Sequence, residues 1–330
     1  MSAVSALNME APFSPSQKSS IASKEKQAKI YRVLEDALKM DIIGSVASVS
    51  LDEEPNSSID GLNHRELSNH IAQWVFSRNL DIKNLSIRSK SDQIGDQEIS
   101  RSAFFESAAL WYRGDNGGSH PEIWVTAENG LRHPQRKFLP EGELYRRHIH
   151  SLDLDISLRL LNIDSDLDIF TEWMNQPRVA EFWEQAWPKS QQREYLQKTL
   201  ADPHKQPVIA CFGNQPFAYF EVYWAMEDRL GPYYNAKPYD RGVHLLVGDK
   251  RFLGTKYFYA WMHSISHFMF LDEPRTQCLV GEPRYDNKAL LRYIPKLPGW
   301  TLDKEFDFPH KRARLLLCDR TRFFAEAKLG

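Results

Sequence analysis

The sequence predicts an α/β fold, a mixed sheet with helices on both faces, preceded by a smaller α+β unit. Two observations carry this. From residue 156 onward, apolar runs of strand length alternate with amphipathic runs of helical period. Their order is strand, helices, three strands, helix, strand, helix, two strands. In the middle, "GVHLLVGDKRFLGTKYFYAW" passes from an apolar strand through a charged turn straight into a long helix.

Taken in order, "ISLRLL" (Ile156 to Leu161) alternates as a strand. "DLDIFTEWMN" and "PRVAEFWEQ" are short helices, the second opened by Pro177 in a favoured first-turn position. "QQREYLQKTLAD" is a third helix. "PVIACF" and "QPFAYFEVYWA" are strands joined by the turn "GNQ", and "GVHLLVG" is the next strand. The helix from Leu253 to Phe270 carries Phe258, Trp261, Ile265, Phe268 and Met269 at helical spacing. "TQCLVGEP" is a strand, "NKALLRYIPKL" a helix, and "EFDFP" and "RARLLLCD" close as two strands.

Upstream, residues 1–22 are rich in Ser, Pro and Ala and read as a disordered tail. Residues 23–140 read as the α+β domain. It has a helix near Lys24 to Leu38, a polar loop from Leu51 to Gly61 and a helix from His64 to Asn79. "FFESAALWYR" and "PEIWVTAENG" read as strands around the hairpin loop "GDNGGSH". Residues 141–155 read as a linker and 156–330 as the catalytic domain. The first domain has no Arg-x-x-Gly turn. It reads as non-catalytic, a degenerate copy of the second that serves as a lid or partner surface.

Net charge is -2 with both signs interleaved, which argues against a nucleic-acid partner. No apolar run approaches the ~20 residues of a membrane helix, and the N-terminus lacks the pattern of a signal peptide, so the expected location is cytoplasmic. Cys211, Cys278 and Cys318 lie far apart in apolar runs and read as free buried thiols. His263 and His267 have metal-compatible spacing but no evident third ligand, so no metal is expected. The charge cluster "PHKRARLLLCDR" reads as a solvated hairpin with Lys311 and Arg312 near its turn.

One segment carries chemistry. A strand that ends in "VGDKRFLG" and becomes a helix makes a nest of backbone N–H groups suited to phosphate. Gly254 lets the backbone approach closely and Arg251 can reinforce it. Alone, the turn weighs no more than an ordinary helix start. In context it resembles the pyrophosphate loop of the GNAT acyltransferases, here "RFLGTK", with Lys256 in place of the last small residue. "GELYRRH", "WMNQPRVAEFWEQ", "PFAYFEVYWAMEDRLG", "DRGVHLLVG", "LDEPRTQ", "EPRYDN" and "EFDFPHKR" together resemble the siderophore N-hydroxyamine acyltransferases. The branch most like this chain is that of the aerobactin-pathway N6-hydroxylysine acetyltransferases. These segments run from Gly142 to Arg312; the residues before them match by position alone.

The resemblance implies a GNAT core, acetyl-CoA as co-substrate and an N-hydroxylated amine as acceptor. The product would be a hydroxamate, an iron ligand. It also implies that the fourth strand, "GVHLLVG", splays from the fifth, "TQCLVGEP". Backbone groups near Leu246 and Val247 would then polarise the thioester, with Arg251, Gly254 and Asn287 as further coenzyme contacts. His244 and Asp286 carry over as the active-site pair.

The residues suit that chemistry. A hydroxylamine is largely unprotonated at neutral pH, so the enzyme has only to hold the nitrogen and accept the proton released as the amide forms. His244 or Asp286 can do this, and the sequence does not say which. An isolated strand histidine is more often a satisfied core residue, and Asp286 also suits a helix N-cap. Tyr293 stands one residue before the register of the usual GNAT general acid, with Ile294 in the expected position. No cysteine falls at the predicted centre, so transfer is direct. The acceptor pocket draws on Trp183, Glu184, Glu221 and Tyr223 as walls and ammonium partners. Open alternatives are a longer acyl donor, succinyl or fatty, and a non-catalytic acyl-CoA-binding protein. The acceptor is equally open among N-hydroxylysine, N-hydroxyornithine and N-hydroxyputrescine. A homodimer is compatible with this reading.

Overall fold

The computed structural model describes residues 29–51, 62–89, 96–114 and 122–329, in two compact units. The tail at 1–22 and most of the loops after Leu51 and in "GDNGGSH" lie outside the described residues.

The first unit comprises residues up to Phe76 with Asp81–Ile99. Residues 29–37 are helical (α1). β1 (Leu38–Ile43) and β2 (Val46–Leu51) pair antiparallel around Gly44. Helix α2 (His64–Arg78) crosses to β3 (Asn84–Ser89), which is parallel to β2, and β4 (Gln97–Ser100) closes the sheet in the order β1-β2-β3-β4. A parallel pair needs such a crossover, and α2 buries Ile71, Ala72, Val75 and Phe76.

The second unit begins near residue 100, well before the boundary expected at 140. "FFESAALWYR" is not a strand: Arg101–Glu106 form helix α3, followed by a 3₁₀ turn at Ala108–Leu110. Ser100 caps α3 by accepting from the Ala103 N–H, and this local bond overrides the β propensity of the paired phenylalanines. β5 (Trp124–Thr126) and β6 (Arg132–Pro134) form a small ribbon.

Eight strands form the main sheet, in the order β13-β14-β12-β11-β10-β9-β8-β7. The first in sequence, β7 (Glu143–Ile149), corrects the expected linker. Leu144, Tyr145, Arg147 and Ile149 are buried, while Arg146 and His148 pair with Asp155. Its basic residues disguise a strand as a polar connection. β8 (Leu154–Leu160) leads to helices α4 (Ile163–Met174), α5 (Pro177–Trp183) and α6 (Lys189–Leu200). β9 (Lys205–Phe212), β10 (Gln215–Trp224) and β11 (Arg241–Val247) follow as antiparallel neighbours. Then come α7 (Thr255–Asp272), β12 (Cys278–Gly281), α8 (Lys288–Leu291), β13 (Trp300–Asp307), β14 (Arg312–Asp319) and α9 (Arg320–Glu326). The predicted helix over "NKALLRYIPKL" stops early because Pro295 cannot continue it; Ile294–Lys296 turn as 3₁₀. No helix among the described residues is long and apolar enough to cross a membrane.

Phe170, Trp173 and Leu196 of α4 and α6 cluster with Ile209, Tyr219 and Leu246 on one face of the sheet. Phe220 points oppositely and meets Trp261 of α7, with ring centroids 6.0 Å apart.

The parallel pair β11/β12 positions the site. Its register covers only Arg241↔Leu279 and Gly242↔Val280. β11 continues to Val247 with no β12 partner, so the strands part beyond Gly242. Gly242 is itself required. A Cβ there would sit 2.0 Å from Cζ of Tyr223, whose ring lies across the glycine. Gly242→Ala should therefore cost about 1–3 kcal/mol through overpacking. A urea-unfolding midpoint unchanged from wild type would contradict this packing.

Candidate active site

β10 and β11 hold Glu221 directly opposite His244. Side chains of paired residues share a face, so Tyr219, Glu221 and Tyr223 stand beside His244. Glu282 comes from the other strand of the fork, just past β12. His244 lies between the two carboxylates: Nδ1 is 3.0 Å from Glu221 Oε2 and Nε2 is 2.9 Å from Glu282 Oε1.

Both carboxylates are buried and fully engaged. Glu221 also accepts from the Tyr195 and Tyr219 hydroxyls, and Lys205 Nζ is 3.3 Å away. Glu282 accepts from Tyr223 Oη at 2.7 Å, with Lys311 Nζ 3.8 Å from its other oxygen. The Tyr223 and His244 rings pack with centroids 4.6 Å apart.

Electrostatics follow from this clamp. Burial pushes the His244 pKa down, but the charges and hydrogen bonds of Glu282 and Glu221 outweigh it and raise it to about 9. Burial pushes Glu221 up, yet the His244 hydrogen bond and the Lys205 charge bring it to about 2. Burial likewise opposes ionisation of Glu282, and the His244 charge and hydrogen bond hold it below the usual carboxylate range. At neutral pH the group is an imidazolium donating from both nitrogens to two carboxylates. It carries one net negative charge.

A cavity of about 930 Å³ passes this group. Its lining includes the predicted residues Trp183, Glu184, Glu221, His244, Leu246, Val247, Gly254, Asp286 and Asn287. Trp183 packs on Tyr219 at 5.8 Å. Gly254 has φ 97 and ψ 168, backbone that is essentially reserved for glycine, and a Cβ there would meet nothing within 4 Å. Gly254 precedes α7, whose first turn has no side-chain cap, so its leading N–H groups have no capping side chain to bond.

Five expectations are corrected. Asp286 does not meet His244. It is exposed, paired with Arg284 at 2.7 Å, and that bond lowers its pKa. Glu282, four residues earlier in the same "EPRYDN" segment, stands where Asp286 was expected. Leu246 presents its side chain but not its amide. The Gly248 N–H donates to Phe217 and the Ala225 N–H to the Asp240 carbonyl, which fixes the ladder's parity. The backbone groups of Val243, Leu245 and Val247 therefore face the fork, and those of Leu246 face β10. Arg251 turns back onto Asp249 in a bidentate pair and lies outside the cavity lining. Tyr223 is wholly buried and supports Glu282 instead of lining the cavity. Lys311, expected in solvent, donates to the Glu282 carbonyl at 2.7 Å. Asn287 lines the cavity while capping α8 through the Leu290 N–H.

Sequence reasoning also passed over Tyr195, Lys205 and Arg229, which line the same cavity. Outside the site, His267 is held by Tyr145 Oη at 2.9 Å and the Phe105 carbonyl at 2.7 Å. Among the described residues, no cluster of three or more His, Cys, Asp or Glu could hold a metal ion.

A family model described as an acetyltransferase (GNAT) domain matches residues 162–308. The chain is 42% identical over 237 residues to an N(6)-hydroxylysine O-acetyltransferase of Escherichia coli, covering 72% of this chain and 75% of that protein. The chain belongs to the N-hydroxyamine acyltransferases of the GNAT superfamily. It is 44% identical over 203 residues to a hydroxyornithine transacylase of Ajellomyces capsulatus, covering 60% of this chain and 46% of that protein. A transacylase of Beauveria bassiana named for N(5)-hydroxyornithine and cis-anhydromevalonyl coenzyme A is 43% identical over 204 residues, with 60% and 44% covered. The chain thus spans less than half of either fungal relative. An uncharacterized protein of Bacillus halodurans has a similar structure, with TM-score 0.52 and 29% identity, covering 56% of this chain and 95% of that one.

The clamp makes stability depend on pH in both directions. The raised His244 pKa contributes stability that is complete below about 6.5 and is lost as pH rises through about 9. The lowered Glu221 pKa contributes stability that is complete above about 4.5 and is lost as pH falls through about 2. Unfolding free energy measured in urea should decline from pH 6.5 to 9 at up to about 1.4 kcal/mol per pH unit. His244→Gln should lose that decline; an identical pH dependence in the variant would show that His244 is not the group responsible.

Proposed function

We propose that the chain transfers an acetyl group from acetyl-CoA to the hydroxylated nitrogen of an N-hydroxylated diamine or diamino acid, giving a hydroxamate for siderophore assembly. The observation that carries this is the Glu221–His244–Glu282 unit at the point where β11 and β12 part. The cleft lies wholly within the second unit, which supports a non-catalytic role for the first.

The arrangement fits a coenzyme A thioester. The open turn at Gly254 and the uncapped first turn of α7 supply N–H groups for the pyrophosphate, and the helix end adds partial positive charge. Asn287 lines the same cleft. The fork-facing amides of Leu245 and Val247 polarise the thioester carbonyl as the nitrogen attacks. Bond formation makes that nitrogen cationic and acidic, and its proton passes to the Glu221–His244–Glu282 unit. The C–S bond then breaks, and the proton leaves on the coenzyme thiol. His244 holds both carboxylates in place and spreads the charge across the unit.

Two names among the relatives differ in the acylated atom, oxygen in the Escherichia coli protein and N(5) in the Beauveria one. The product separates them, because a hydroxamate gives a coloured ferric complex and an O-acyl ester does not. Incubation with acetyl-CoA and N6-hydroxylysine should release thiol together with that colour. Faster turnover of lysine than of hydroxylysine would sink the hydroxamate reading. His244→Ala and Glu282→Gln should each lower kcat by roughly 10²-fold or more. Asp286→Asn should lose only a few-fold, about 1 kcal/mol or less of barrier. A larger loss for Asp286→Asn than for Glu282→Gln would return Asp286 to the centre.

A further inference from the structure

We infer that Arg229 reads a carboxylate on the acceptor, so that this cleft takes an N-hydroxylated diamino acid in preference to the matching diamine; the inference rests on the acyl transfer proposed above.

The sheet register gives the cleft two arms. One runs along β11 beyond Val247 to Gly254 and α7. The other lies past the opposite end of β11, where Arg241 pairs with Trp224, the last residue of β10. The loop between these strands closes through Ala225 and Asp240, whose backbones bond at 2.9 Å. Arg229 stands in that loop and lines the cavity. One guanidinium nitrogen is 3.6 Å from Glu282 Oε1, the same oxygen that receives His244 Nε2 at 2.9 Å. The guanidinium is thus one carboxylate away from the reacting centre, on the side remote from the coenzyme arm.

Among the arginines that line the cavity, Arg229 is singled out by its hydrogen bonding. Arg159, Arg251, Arg275 and Arg284 each form a fork on a carboxylate, respectively Asp166, Asp249, Glu273 and Asp286. Arg229 makes no hydrogen bond among the described residues, and its side chain is 49% exposed, into the cleft. Phe308 supports it from 5.6 Å. Glu282 cannot complete it, because His244 and Tyr223 already occupy that carboxylate and the approach exceeds hydrogen-bond length. Lys311 is committed to the Glu282 carbonyl. A guanidinium prefers a bidentate carboxylate partner, and here a ligand in the cleft can supply one. An acceptor with its hydroxylamine at His244 would carry an α-carboxylate, a short methylene chain away, to this fork.

The test compares kcat/KM for N6-hydroxylysine and N-hydroxycadaverine, identical but for the carboxylate, with acetyl-CoA. Wild type should favour N6-hydroxylysine by at least ~10-fold, as expected where a site's polar group would otherwise go unpaired. In Arg229→Ala that ratio should fall toward one, through KM for N6-hydroxylysine, and Arg229→Lys should restore part of it. Equal wild-type efficiency on both acceptors overturns the carboxylate assignment alone. So does an equal loss on both in Arg229→Ala, which would mean that the arginine acts only through Glu282. Turnover of neither hydroxylamine, nor of the shorter pair N5-hydroxyornithine and N-hydroxyputrescine, overturns this inference and the proposed function together.

Discussion

The site depends on one interaction, an imidazole held between two buried carboxylates from opposite arms of a strand fork. The cation, with Lys205 and Lys311 beside it, offsets the cost of burying both carboxylates ionised, and the imidazole would not stay charged in the interior without them. The tyrosines follow from this. Tyr195, Tyr219 and Tyr223 donate to the remaining carboxylate lone pairs, so each buried oxygen is satisfied. Gly242 follows too, since only a residue without a Cβ lets Tyr223 lie flat enough to reach Glu282.

The fork has two uses. Parting β11 from β12 frees backbone amides that a continuous ladder would consume, and it opens the cleft in which they can act. The same divergence carries Glu282 off the end of β12 to the second nitrogen of His244. The free amides and the two-carboxylate clamp therefore come from one topological event. The two ends of the cleft then differ in character. Backbone N–H groups dominate near α7, and charged side chains dominate beyond Glu282.

Much of the second unit was legible because its elements carry strong periods. β8 to β12, α4 to α7 and β14 lie where alternation and helical spacing put them. The exceptions are elements whose deciding contacts override what their composition suggests. β7 looks like a polar linker until Asp155 meets its Arg146 and His148. α3 looks like a strand until its cap is seen. In the site, His244 and Glu221 were legible on neighbouring strands, although Glu221 was assigned to substrate and not to the imidazole.

By itself the sequence determined the fold class, the strand that carries the histidine, the glycine that opens α7 and the kind of acyl transfer. These rest on local pattern and on motifs that survive as strings of residues. Tertiary structure alone decided which acid serves the histidine. Asp286 and Glu282 are four residues apart in one loop, and both suit the role chemically. Only the divergence of β11 from β12 sends Glu282 inward to the imidazole and leaves Asp286 outside on Arg284. Charge state was decided in the same way, because the proton on His244 is fixed by two carboxylates that only folding brings within 3.0 Å.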